Sequence, residues 1–244
     1  MKNVLTNIAM VLLFVAGTMA GPITTPEQAI DRVLDVTGLS RDLKSQRGSE
    51  TAELVTYHDS TTPFISHELD GSSAWKVLVD GFKFGMDATE EQRELDVPKT
   101  IEAWIDSETG KIMKITIRQN ESDSDLVRQP TAEESQRRLQ RAGETIFSLA
   151  ENVPSVSMMN AIRLCKAHPL TAKEIIIWYV EYQMTNCTSY SKRPVWFVFM
   201  RGGYPISPRE DVPLYMRNHI HCVIDATDGS LMFGPVNGPY PKLE

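Results

Sequence analysis

Two periodicities share this chain. Apolar Trp75, Val77 and Val79 alternate with Lys76, Leu78 and Asp80, and the same two-residue step returns at Ile101, Ala103 and Ile105. It is cleanest at Met113, Ile115 and Ile117, which alternate with Lys114, Thr116 and Arg118. Successive side chains leave a strand on opposite faces, so this pattern predicts half-buried strands. Upstream the step lengthens: Ala29, Ile30, Val33, Leu34 and Thr37 fall at helical spacing. Thr25 is placed to cap that helix, Pro26 suits its first position, Gln28 completes a capping box and Gly38 ends it. A polar stretch then leads to a strand around Glu53–His58. The first half therefore reads as a helix followed by antiparallel strands.

In the second half, polar Asn120–Gln129 reads as a linker, and Thr131-Ala-Glu-Glu134 as another capping box. Leu139, Ala142, Ile146, Leu149 and Val153 follow at helical steps, predicting a long helix near 131–153 that ends at Pro154. Its stripe is read as a face docked on a sheet rather than a coiled-coil seam. After Ser157, Met158, Ala161, Ile162 and Cys165 predict a short helix. Ile175–Met184 is almost continuously apolar, as in a strand buried on both faces. Strands follow at Val195–Arg201, Tyr215–Ile224 and Leu231–Phe233, and the proline-rich tail Gly234–Glu244 reads as irregular.

The strand-and-turn unit occurs twice. Trp75-Lys-Val77 and the hairpin Ile105-Asp106-Ser-Glu-Thr109-Gly110-Lys-Ile112 are echoed by Trp196-Phe-Val198 and Ile224-Asp225-Ala-Thr-Asp228-Gly229-Ser-Leu231, at nearly the same offset. The helical pair Ala29-Ile30 is matched by Ala161-Ile162. These residues resemble the PepSY domain, whose pattern joins an Ala-Ile-like helical pair, a Trp-x-Val strand and an Ile-Asp-x-x-Thr-Gly-x-Ile hairpin. The second copy departs by placing Asp228 where the first has Thr109. The resemblance covers roughly residues 24–118 and 155–233. It implies an extracytoplasmic, non-enzymatic module of the kind found in metalloprotease propeptides and in stand-alone secreted proteins. The expected fold is α+β: two PepSY-like repeats, each a helix packed on a small antiparallel sheet, joined by a long helix. The expected boundaries are a signal peptide at 1–20, repeat 1 at 21–120, a linker and helix at 121–153, and repeat 2 at 154–244.

The export expectation rests on the first residues. Lys2, the apolar run Val11–Ala16 and the small residues Thr18-Met-Ala20 form a secretory signal pattern. The apolar run is shorter than the roughly 20 residues a membrane helix needs. The 244 residues carry a formal net charge of −7, which disfavours nucleic acid and anionic lipid as partners. Cys165, Cys187 and Cys222 all lie in the second half. Exported, they allow at most one internal disulfide and a leftover thiol, with three pairings open. No Cys-x-x-Cys points to redox chemistry.

Candidate chemistry is sparse. His219 and His221 share one strand face and could hold a metal with His58, His67 or His168, but two surface histidines on an edge strand explain them better. Asp106 and Asp225 could pair as acid and base, yet each has a sufficient role in its own turn. No nucleophile elbow, zincin helix or phosphate loop occurs. No catalytic, cofactor-binding or metal residue is therefore assigned, and no cofactor is expected. The loops Asp87–Asp96 and Gly202–Pro213 are the better places for contact. The expected function is a secreted or periplasmic non-catalytic module that binds a protein or peptide, with modulation of an exported protease as one form of that role. The alternative is a small-ligand or metal-binding protein of the cell envelope.

Overall fold

Thr25 opens the first helix, α1 (Pro26–Thr37), through a reciprocal capping box: its hydroxyl accepts from the Gln28 N–H, and the Gln28 side-chain oxygen accepts from the Thr25 N–H, both at 3.3 Å. Ala29, Val33, Leu34, Val36 and Thr37 are buried. Thr37 is tolerated there because its hydroxyl donates 2.6 Å to the Val33 carbonyl. Gly38 ends the helix at φ 76°, and a Cβ there would come within 2.8 Å of the Ser157 side chain. Only glycine lets the end of this helix approach the start of the next so closely.

The computed structural model describes residues 21–39, 48–58, 69, 71–84, 96–119, 145–165, 172–184, 192–202 and 219–236. The predicted signal at 1–20, the linker Asn120–Gln129, residues 131–144, most of both candidate loops, the end of the tail, and His67, His168 and Cys187 lie outside them. Among the described residues no helix is long and apolar enough to cross a membrane.

After α1 come β1 (Glu50–Thr56), β2 (Ser73–Phe82), β3 (Lys99–Asp106), β4 (Ile112–Gln119) and β5 (Thr145–Leu149). The short helix α2 (Met158–Leu164) precedes β6 (Glu174–Met184), β7 (Arg193–Arg201), β8 (His219–Asp225) and β9 (Leu231–Val236). All pair antiparallel in a single nine-stranded sheet, ordered β1-β2-β3-β4-β6-β7-β8-β9, with β5 pairing with β6.

This corrects the expected α+β fold of two small sheets joined by a long helix. Among the described residues the structure is mostly one antiparallel sheet with two short helices. The halves fuse where Ile115, Thr116, Ile117 and Arg118 of β4 pair with Ile177, Ile176, Ile175 and Glu174 of β6. Two separate sheets would each leave a row of unpaired main-chain groups here, and fusion satisfies both. Part of the predicted long helix is strand: Thr145–Leu149 pairs with Val180–Met184 along the edge of β6 that β4 leaves open. Thr145, Ile146 and Phe147 favour extended backbone, and β6 supplies the ladder that helical spacing alone could not reveal. Gly234–Val236, expected to be irregular, belongs to β9.

Both helices lie on one face, over a core that runs through both halves and includes Val33, Val77, Ile101, Ile117, Ala161, Ile177, Trp196 and Cys222. On the other face the second half carries a further core of Ile176, Trp178, Val180, Tyr182, Val195, Phe197, Phe199 and Val223. That is why β6 reads as a continuous apolar run. A register shift at Trp104/Ile105 breaks the neat alternation predicted for β4. Ile112 joins the helix-side core, while Met113 turns to the other face beside Tyr57 and Ala74.

Candidate functional site

The repeated polar residues build turns. Asp106 accepts from the Thr109 N–H and hydroxyl through Oδ1, both at 2.6 Å, and its carbonyl accepts from the Gly110 N–H at 2.8 Å. Asp225 repeats this: its Oδ1 accepts from the Thr227 N–H at 2.8 Å and its carbonyl from the Gly229 N–H at 2.9 Å. Asp228, the departure in the second copy, instead accepts from the Ser230 N–H at 2.8 Å, which holds its carboxyl below the usual range. Gly110 at φ 67° and Gly229 at φ 79° supply the left-handed backbone these turns require.

A second shared device ties each turn to its helix. Ile23 donates its N–H to the Ser107 carbonyl at 2.9 Å and accepts from Trp75 Nε1 at 2.8 Å. Val156 donates to the Ala226 carbonyl at 2.9 Å and accepts from Trp196 Nε1 at 2.7 Å. A residue two or three positions ahead of each helix thus bridges the Trp strand to the Asp turn. Above the turns the copies differ. Arg32 Nε donates 3.3 Å to the Gly110 carbonyl, whereas Leu164 approaches Gly229. Burial lowers the Arg32 pKa, opposed by Asp35.

The histidines do not form the expected surface pair. His221 is buried and stacks on Phe197 with ring centroids 6.1 Å apart. Its strand is flanked by β7 and β9, so it is not an edge. His58 is exposed at the end of β1. No group of three or more His, Cys, Asp or Glu among the described residues could hold a metal ion.

Sequence reasoning missed Lys99, which is 1% exposed at the start of β3. Its Nζ donates 3.2 Å to the Val97 carbonyl and lies 5.4 Å from the centre of the Phe84 ring. Desolvation pulls its pKa down to about 8, against the attraction of Asp96. Between about pH 8 and the model-peptide value of about 10.4, the unfolded chain therefore holds a proton that the folded one has released. Stability from this group rises with pH across that window. Its full span is about 3 kcal/mol. Tyr179, raised chiefly by burial, contributes with the opposite sign above its unfolded value. We expect the stability of the parent relative to Lys99→Met to rise steadily from about pH 8 to about pH 10.5 in urea titrations. A constant difference would remove the assignment.

Among the described residues, β1 is an edge of the sheet. Its hydrogen-bonded strand neighbour among the described residues is β2. The Tyr57 N–H donates to the Ser72 carbonyl at 2.8 Å, and main-chain direction alternates along an antiparallel strand. The main-chain groups of Ala52 and Leu54 therefore face away from β2. Leu54 is 55% exposed, the most exposed large hydrophobic among the described residues. On the opposite face of the sheet, away from the helices, Trp104 Nε1 donates to Glu102 at 2.9 Å, and Lys76 lies 5.7 Å over the Trp104 ring and 3.7 Å from Glu102. Tyr57 meets Trp104 edge-on at 5.1 Å. This cluster stiffens β2 and β3 behind the edge. The mixed polarity of Glu50–Thr56 was the available signal, because a half-exposed strand often marks an edge.

The fold thus defines a duplicated strand-and-turn unit closed into one antiparallel sheet with an exposed edge. No protein-family model matches the chain, and neither a curated protein nor a solved structure matches it.

Proposed function

We propose that this protein is an exported, non-catalytic, tandem PepSY-like module that binds an extended segment of a protein partner by strand addition at β1. The observation that carries this reading is the outward-facing main chain of Ala52 and Leu54, with Leu54 exposed beside it. Strand addition takes its affinity from main-chain hydrogen bonds and its specificity from alternate side chains. A segment with an apolar residue opposite Leu54 and a basic residue near the exposed Glu53 complements this edge. The signal-like first residues and the PepSY resemblance support an extracytoplasmic setting, where modulation of an exported protease is one role such binding serves.

Leu54→Pro provides the test. It removes a main-chain donor that points away from β2 and leaves the ladder intact, a placement that edge strands tolerate. Peptides selected from a random display library against the parent protein are expected to bind the variant about tenfold or more weakly, given roughly 1.5 kcal/mol for the lost bond and its geometry. Equal affinity, or a library that yields no binder, would overturn strand addition at β1.

A further inference from the structure

Cys165 ends α2 and Cys222 lies in the middle of β8; both are fully buried. The Cys222 thiol lies 3.8 Å from the Cys165 carbonyl, and the Cys165 thiol lies 3.4 Å from the Ala161 carbonyl. The repeat explains why they meet. Counted from Ala161 and Ala29, Cys165 stands where Val33 stands in the first copy. Counted from Asp225 and Asp106, Cys222 stands where Ala103 stands. All four belong to the same helix-side core. The first copy fills this helix-to-strand position with two aliphatic residues, and the second fills it with two thiols.

We infer that Cys165 and Cys222 are the disulfide pair of this protein, a staple between α2 and β8 that leaves Cys187 as the unpaired thiol. The oxidant is a disulfide, either that of a thiol oxidoreductase or glutathione disulfide. One cysteine thiolate attacks its S–S bond and expels a thiolate. The second cysteine thiolate attacks the resulting mixed disulfide, closes the Cys165–Cys222 bond and expels the other thiolate. Two electrons pass to the oxidant, and the two cysteine protons end on its product thiols. Burial keeps oxidant from both sulfurs in the finished fold, so the bond closes before α2 docks and is then shielded from reductant.

The inference concerns pairing, not partner binding, and its test needs no partner. The full chain is unfolded, refolded in a buffer of reduced and oxidised glutathione, alkylated, and digested without reduction. A cross-linked peptide pair carrying Cys165 and Cys222, with Cys187 alkylated, is the expected result. Cys187→Ser should keep that cross-link, and reduction should lower the urea midpoint of the folded protein. Three alkylated cysteines, or a cross-link that includes Cys187, would overturn it.

Discussion

Trp196→Ala is expected to lower the unfolding free energy by about 3–5 kcal/mol, the usual cost of emptying a large buried aromatic site. Trp196 is completely buried and packs 5.0 Å from Tyr179, ring centre to ring centre. Its indole also has a role that no aliphatic residue can take. Nε1 reaches the Val156 carbonyl, while the Val156 N–H is spent on the turn at Ala226. Trp196→Phe keeps most of the volume and strands that carbonyl, at roughly 1–3 kcal/mol. Because Ile23 and Trp75 repeat the arrangement, Trp75→Phe should fall in the same range. Urea titrations followed by circular dichroism read all three. A neutral Trp196→Phe would mean that the bridge contributes nothing, and that the repetition of the two tryptophans reflects packing alone.

Glu174→Ala is expected to cost about 1.5–3 kcal/mol, because it removes a buried carboxylate that bonds two arginines. Glu174 is buried where the halves join. Arg118 of β4 contacts one of its oxygens at 2.8 Å, and Arg201 of β7 contacts the other. The register places the three residues side by side across three strands. Their exposures decide which pair matters: the Arg118 side chain is 56% exposed, and that of Arg201 is 16% exposed. Water can take over Arg118 when Glu174 is lost, but it cannot reach Arg201 as easily. Double-mutant cycles should therefore give a strong Glu174–Arg201 coupling and at most about 1 kcal/mol for Glu174–Arg118. Equal couplings would contradict this account of the seam.

What the sequence revealed, and what it hid, follows from the range of the forces involved. Capping at Thr25 and the Asp106 and Asp225 turns are local bargains between neighbouring residues, so their outlines were readable. The two tryptophans were conspicuous because the same local unit was written twice. The fusion of the sheets was hidden, since it depends on β4 meeting β6, more than fifty residues downstream in the chain. Ile146 and Leu149 fit a helical stripe as well as a strand, and only the vacant edge of β6 decides between them. Met113 deceived for a related reason: one bulge reverses the face of every residue on one side of it. His221 looked exposed because its burial depends on Phe197 across the ladder. Lys99 and the Cys165–Cys222 contact depend on distant packing and left no local signature.

Strand addition at β1 meets its most direct test in backbone hydrogen exchange of the protein with and without a library-selected, basic-flanked apolar peptide. The account predicts new protection concentrated in Glu50–Thr56, at amides whose main chain faces away from β2. Protection elsewhere in the sheet, with exchange at Glu50–Thr56 unchanged, would contradict it.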